Sequence, residues 1–202
     1  RLLGKARVLS AGHFQPGLHV APCLTGDVLG KTGWVLGEMP GSEDLGAPSR
    51  ALEPAWLVRR DGSLLMTFRD QKSSFRLLAS ESTDGGKTWS RPLETLFPDS
   101  RSKQSAGNLP DGTAFIVNNP TGCKRRSPLA ISLSKDGRRF DRAYLLRELG
   151  EGVEGMRWEG RYKREGFSYP KSLVSGGFVF IAHSVHKERI EVTRIPLSSL
   201  GE

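Results

Sequence analysis

The chain has 202 residues, of which 37% are hydrophobic and 36 are Gly or Pro (24 + 12), a composition that favours many short elements over a helical bundle. No apolar run approaches the roughly 18 residues of a membrane-spanning helix; no signal peptide is visible, and the start at Arg1 rather than Met leads us to expect a missing or processed N-terminal piece. A net charge of +8 admits a solvated basic surface, an anion-binding cleft or a nucleic-acid groove; without an RNP-type aromatic motif or zinc-finger spacing, nucleic acid is not an expected partner.

Along the chain, "VLGKTGWVLGEMP" (28–40) reads as the tail of a β unit. "AWLVRRDGSLLMTF" is two strand-like runs around Asp61-Gly62, a hairpin signal. "FRLLASES" is a third strand and leads into "ESTDGGKTWS". The pattern then recurs. "SAGNLPDGTAFIVNN" turns at Asp111-Gly112, 50 residues on (111 − 61), and "PLAISLSKDGRRF" repeats the third strand, with Asp136 52 residues after Asp84 (136 − 84). "LLRELGEGVEG" (145–155) is expected to form a short turn of helix. "SYPKSLVSGGFVFIAHSV" makes a third unit, turning at Gly176-Gly177, and "RIEVTRIPL" follows it. A repeat of about 50 residues built from hairpins plus a third strand predicts an all-β propeller.

Ser82, Asp84, Gly86, Thr88 and Trp89 fit S-x-D-x-G-x-T-W. In such a turn the carboxylate accepts backbone N–H groups of its own loop, the glycines allow positive φ and the indole packs under the next strand. Asp84 is therefore expected to be structural. The stretch matches the Asp box of sialidases (neuraminidases) and other BNR-repeat propellers, and "SKDGRRF" (134–140) looks like a second copy, one residue shorter, with Phe140 for the tryptophan. The resemblance implies a β-propeller of the six-bladed sialidase type with about four blades present, residues 1–202 forming one domain incomplete at its N-terminal end.

Further residues carry the same resemblance. In "EPAWLVRRDGSLLMTFR", Glu53 stands eight residues before Asp61 and Asp61 eight before Arg69, similar to the sialidase segment that opens on a Glu and ends on an Arg. "NNPTGCKRRSPLAISLS" resembles the family's Asn-Pro loop and following Arg, matched by Arg126 with Arg125 as a rival. "GFSYPKSLV" resembles the segment of the nucleophilic tyrosine, matched by Tyr169, with Tyr-Pro for the usual Tyr-Ser. Plainer roles stand beside these: Glu53 as a solvated strand start, Arg69 paired with Asp70 or Glu81, Arg126 in a solvated basic run, Tyr169 in the core.

The resemblance implies an exo-sialidase that hydrolyses terminal sialic acid from glycoconjugates with retention. Planar guanidinium forks at Arg69 and Arg126 would grip the substrate carboxylate. A neutral phenol avoids the repulsion a carboxylate nucleophile would meet. Since a phenol ionises near pH 10, Glu53 would take the Tyr169 proton. Sialylated or other acidic glycans are the implied partners, no cofactor is implied, and analogy with glycan-processing propellers gives a secreted or periplasmic location. Two other readings remain open: a non-catalytic glycan- or protein-binding propeller, and a propeller hydrolase or lyase acting on a uronate, which a pocket histidine such as His13 or His19 would favour.

The family's third arginine and its Asp acid/base find no match in residues 1–49, where Asp27 is the only Asp before residue 44. His13 and His19 are six apart, and His183 and His186 three apart on a strand-like run, so no metal site is expected. Arg157, Arg161, Lys163 and Arg164 precede Tyr169 as candidate guards of the site, with Trp158 or Tyr162 to stack on a sugar. Cys23 and Cys123 lie far apart, and the sequence does not choose between a pair and two free thiols.

Overall fold

The computed structural model describes residues 8–15, 17–40 and 49–201. Four antiparallel sheets follow one another in chain order. The first holds β1 (Val8–Phe14), β2 (His19–Thr25) and β3 (Val35–Leu36). The second holds β4 (Ala51–Val58), β5 (Leu64–Asp70), β6 (Arg76–Ser82) and β7 (Leu93–Pro98). The third holds β8 (Ser105–Asn108), β9 (Ala114–Asn118), β10 (Leu129–Ser134) and β11 (Arg142–Arg147). The fourth holds β12 (Phe167–Ser175), β13 (Phe178–Val185) and β14 (Arg189–Pro196). The leading strands β4, β8 and β12 lie side by side along the inner edge of an open arc.

Local chemistry sets the hairpins. At the β4–β5 turn Ser63 N–H donates to Asp61 Oδ1 (2.9 Å), and at the β8–β9 turn Thr113 N–H donates to Asp111 Oδ1 (2.9 Å). Gly62 and Gly112 follow those aspartates at φ +84° and +90°, where a Cβ would be strained. Residues 145–155 depart from the expected helical turn. Residues 145–147 belong to β11, and the only helix among the described residues is the 3-10 turn Leu197–Leu200. Gly150, Gly152 and Gly155 deprive residues 148–155 of helix propensity, and no apolar stripe compensates.

Three apolar seams join the four sheets. Leu9, Val20, Leu24, Met66, Phe68 and Trp89 fill the first, Leu57, Leu65, Leu77 and Ile116 the second, and Phe115, Val117, Ile131, Phe167, Val179 and Ile181 the third. Strand β5 sends Met66 and Phe68 into one seam and Leu65 into the next, so its run "LLMTF" is apolar on both faces. The Asn108 amide adds a polar clasp: Oδ1 accepts from Val58 N–H (2.9 Å) and Nδ2 donates to Val58 C=O (2.6 Å), joining β8 to β4.

The Asp boxes close the loops between third and fourth strands. Asp84 accepts from Lys87 N–H (3.0 Å), Thr88 N–H (3.0 Å) and Thr88 Oγ1–H (2.7 Å), while Trp89 Nε1–H donates to Gly86 C=O (2.9 Å). Asp136 accepts from Arg138 N–H (2.8 Å) and Arg139 N–H (3.0 Å), and Phe140 packs edge-on against Phe97. Each box also latches to the preceding sheet. Trp89 N–H donates to Glu38 C=O (2.8 Å), and Arg60 N–H donates to Asp136 C=O (3.3 Å). The β2–β3 loop is a third box that the sequence reading missed. There Asp27 accepts from Leu29 N–H (3.0 Å), Lys31 N–H (2.8 Å) and Thr32 N–H (3.1 Å), and Trp34 Nε1–H donates to Gly30 C=O (2.9 Å). Its spacing T-x-D-x-x-x-x-T-x-W carries one extra residue on each side of the threonine, which hid it.

The Asp84 carboxyl is pushed up by desolvation, but hydrogen bonds from Thr88, Ser82 and Lys87 outweigh this and hold it at about 2. Its folded value lies below the unfolded value of about 3.9, so its contribution is present above that value and lost as pH falls through about 4 to 2. Asp84→Ala is expected to cost about 1–2 kcal/mol at neutral pH and to flatten the acid limb of stability against pH in urea denaturation. An unchanged acid limb would contradict this assignment.

Candidate active site

Two strands carry the same irregularity at the same end. In β4 the register with β5 slips between Leu52 and Ala55, and in β12 the register with β13 slips between Ser168 and Lys171. Each slip is a bulge whose extra residues are a left-handed non-glycine and a proline: Glu53-Pro54 (φ +56°) and Tyr169-Pro170 (φ +56°). A bulge re-aims a side chain that the pleat would send elsewhere. A left-handed non-glycine costs energy that the surrounding fold must supply. Arg101, in the loop before β8, is left-handed too (φ +57°).

These ends meet at a cavity of about 600 Å³. Arg69 and Gln71 reach it from the end of β5, Ser100 and Arg101 from the loop after β7, and Lys124 and Arg126 from the β9–β10 loop. Arg161, Tyr162 and Arg164 come from the β11–β12 loop, Tyr169 from β12 and Lys187 from the turn after β13. Glu53 Oε2 is ion-paired to Arg69 Nη1 (3.2 Å), and Arg69 Nη2–H donates to Gln71 Oε1 (3.1 Å). Arg126 Cζ lies 5.5 Å and Lys187 Nζ 5.0 Å from the centre of the Tyr169 ring. Two further cavities, of about 510 and 590 Å³, contain neither Arg126 nor Tyr169.

Arg126 is the most constrained of the group, with 7% exposure and hydrogen-bond partners on neither Nε nor Nη1. Burial pushes its pKa down and neighbouring Arg69 adds to this, while Tyr169 and Glu53 pull it up. A guanidinium stripped of water and short of acceptors gains strongly from a carboxylate.

Buried polar side chains hold this arrangement. Gln104 Nε2–H donates to Thr67 C=O (2.8 Å) and Glu53 C=O (3.3 Å), fixing the bulge. Asn119 Nδ2–H donates to Arg126 C=O (3.2 Å) and Pro128 C=O (2.9 Å). Asp99, whose pKa burial pushes up, accepts from Ser102 N–H (3.1 Å) and Asn118 Nδ2–H (3.1 Å) under the Arg101 loop. Gly166 lets β12 reach Arg126: Phe167 N–H donates to Arg126 C=O (2.7 Å), and a Cβ on Gly166 would collide with that oxygen.

All four residues singled out from the sequence thus converge. The pairing alternatives for Arg69 do not occur, because Asp70 binds Arg50 (2.7 Å) and Glu81 binds Arg59 (2.5 Å). Arg125 is exposed and outside the cavity, so the buried Arg126 is the arginine that faces it. One expected contact is absent: no hydrogen bond joins Glu53 to Tyr169, since Arg69 holds the carboxylate. Of the candidate guards, Arg161 and Arg164 line the cavity, whereas Arg157 pairs with Glu154 and Lys163 with Glu188; of the two candidate stacking rings, Tyr162 lines the cavity and Trp158 does not. Arg101, Lys124 and Lys187 were not anticipated; only the left-handed backbone at Arg101 and Lys187 marks them. Asp27 is spent on its own loop, and Asp44 lies outside the described residues. His13 Nε2 accepts from Glu53 N–H (2.9 Å), while His19 is buried away from the cavity; Pro16 of the turn between them is outside the described residues. Both cysteines are free thiols, and no described helix is long and apolar enough to cross a membrane.

Four β-sheets packed face to face in an arc, latched by Asp-box turns, define a sialidase-type propeller. The chain belongs to the BNR repeat-like domain family, whose model matches residues 5–181. No curated protein matches the sequence. Among solved structures it is similar to a leech intramolecular trans-sialidase complexed with 2,7-anhydro-Neu5Ac (17% identity, TM-score 0.69, covering 96% of this chain and 30% of that one). It is likewise similar to the intramolecular trans-sialidase of Ruminococcus gnavus in complex with oseltamivir carboxylate (16% identity, TM-score 0.69, 96% and 41%). A third is the NanB sialidase of Streptococcus pneumoniae (17% identity, TM-score 0.64, 91% and 26%). The chain spans less than half the length of each of these three, and at such identities the likeness is one of fold.

Gly166→Ala must displace the Arg126 carbonyl and strain a backbone at φ +102°. It is expected to lower stability by about 1–3 kcal/mol or more, read by urea denaturation. A variant as stable as the parent would mean that β12 and Arg126 are not in this contact.

Proposed function

We propose that the protein is an exo-glycosidase of the sialidase type, acting on terminal sialic acid of glycoconjugates with retention through Tyr169. The observation that carries this is the meeting of Arg69, Arg126 and Tyr169 in one cavity, with Glu53 ion-paired at its edge. Arg126, with two buried N–H groups unpartnered, and Arg69 grip the substrate carboxylate. That carboxylate competes with Glu53 for Arg69, so substrate binding releases Glu53 to take the phenolic proton. The Tyr169 oxygen then attacks the anomeric carbon as the bond to the leaving oxygen breaks, and water later hydrolyses the tyrosyl-glycoside with net retention. Contacts of Arg126 and Lys187 with the ring keep the phenol oriented during attack. The leaving oxygen takes its proton from water as that bond breaks; among the described residues no carboxylate lines the cavity. Glycoconjugate substrates accord with a secreted or periplasmic enzyme.

A second reading is favoured by the contact of His13 with Glu53 N–H (2.9 Å). A uronate hydrolase or lyase would use the same two guanidiniums with a histidine at the strand end.

The full-length gene product is expected to release the fluorophore from a fluorogenic sialoside. Tyr169→Phe should lower kcat at least about 10³-fold, and Glu53→Gln about 10²–10⁴-fold. Equal turnover by parent and Tyr169→Phe would remove the mechanism. Turnover of uronates alone would select the second reading, and glycan binding without turnover would mark a non-catalytic propeller.

A further inference from the structure

The cavity carries more positive charge than one carboxylate requires. Beyond Arg69 and Arg126, its wall holds Arg101, Lys124, Arg161, Arg164 and Lys187, and among the described residues no Asp or Glu lines it. Among the described residues none of these five takes part in an ion pair. The same β11–β12 loop does neutralise other cations, with Arg157 on Glu154 (2.5 Å) and Lys163 on Glu188 (2.5 Å). Arg161 and Arg164 are thus left open where neighbouring carboxylates were within reach of the loop.

Neutral contacts hold several of these heads in place. Lys187 Nζ–H donates to Tyr162 C=O (3.0 Å), Arg164 Nη1–H donates to Lys163 C=O (2.5 Å), and Arg161 Cζ lies 5.2 Å from the Tyr162 ring centre. Arg101 Nε is buried without a hydrogen-bond partner, on a backbone braced by Asp99. Like charges gathered at one cavity repel, and an anion relieves that repulsion as it binds.

Depth sorts the seven cations. Arg126 is 7% exposed, whereas Tyr162 is 71% exposed, and Arg161, Arg164 and Lys124 are exposed with it. Three of the five further cations, Lys124, Arg161 and Arg164, thus sit at the mouth, with Arg101 and Lys187 deeper.

We propose that the substrate carries a second anionic group, a sulfate ester or a second carboxylate, on the sugar attached to the acidic residue that is cleaved. The proposal rests on the reading of Arg69 and Arg126 as the carboxylate pair. Arg101, Arg161 and Arg164 set this specificity, and the exposed Tyr162 ring offers that neighbouring sugar a stacking face.

The test compares kcat/KM for sialyl-(2→3)-lactoside, the same trisaccharide with a 6-O-sulfate on its galactose, and a sialyl-(2→8)-sialoside. The parent should favour one of the two doubly charged substrates roughly tenfold or more, and the one favoured identifies sulfate or carboxylate as the source. That ratio should shrink with added salt and fall to about one in the triple variant Arg101→Gln/Arg161→Gln/Arg164→Gln. The double variant Arg161→Gln/Arg164→Gln, confined to exposed positions, should show a partial fall and guards against misfolding of the triple. Equal kcat/KM for all three substrates in the parent, or a ratio that survives in both variants, overturns the proposal while leaving the sialidase reading intact. If no sialoside is turned over, calorimetric binding of the same glycans decides. Tighter binding of a doubly charged glycan, lost in the variants, keeps the second anion site, and equal or absent binding ends it.

Discussion

A β-sheet with apolar side chains on both faces is stable only when a neighbour covers each face, and that constraint organises this protein. Strands β5 and β9 each feed two seams, so the second and third sheets are sandwiched by their neighbours. Each fully buried Leu, Met or Phe contributes about 1.5–3 kcal/mol, whereas an exposed pair such as Arg138–Asp61 (2.8 Å) is screened by solvent and contributes little. Burial therefore decides that the sheets stack, and the latches and clasps decide at what register. Asn108 fixes β8 to β4, and the box around Asp136 docks on the turn around Asp61.

Stacking about an inner edge brings the ends of β4, β5 and β12 to one place, although Glu53 and Tyr169 are more than a hundred residues apart (169 − 53 = 116). The price of using that place is visible in its backbone: Glu53, Arg101, Tyr169 and Lys187 are all left-handed non-glycines. Strain of this kind persists only where the surroundings over-determine it. Gln104, Asn119 and Gly166 supply that determination by binding backbone atoms of Glu53 and Arg126 or by letting a strand approach them. A buried, partly unpartnered Arg126 adds an electrostatic cost that an anionic ligand would offset.

Arg69 links the two carboxylates in the proposed cycle. Glu53 lies 3.2 Å from Arg69, and on that proposal a substrate carboxylate would compete with it for one guanidinium. Binding and activation of the phenol would then be one event, because the group proposed to leave Arg69 is the group proposed to take the proton.

Much of the fold was legible because it is local. Asp-Gly pairs at 61–62 and 111–112 dictate turns by backbone angle and a two-residue hydrogen bond, and short apolar runs bounded by turn residues mark strands; neither needs a distant partner. The Asp box at 84 was legible for the same reason, and its relative at Asp27 was missed only because extra residues stretch the spacing. The predicted helical turn at 145–155 failed because pairing with β10 recruits residues 145–147 into β11, which no local pattern announces, and Gly150, Gly152 and Gly155 disfavour a helix in the rest. The four candidate residues could be picked out by order along the chain. Their convergence, the choice of Arg126 over Arg125, the pairing of Glu53 with Arg69, and the gathering of five further cations at the same cavity were decided by tertiary structure. Each depends on which sheet faces cover one another, and sheets stack by buried area over whole faces, a quantity that no short stretch of sequence contains.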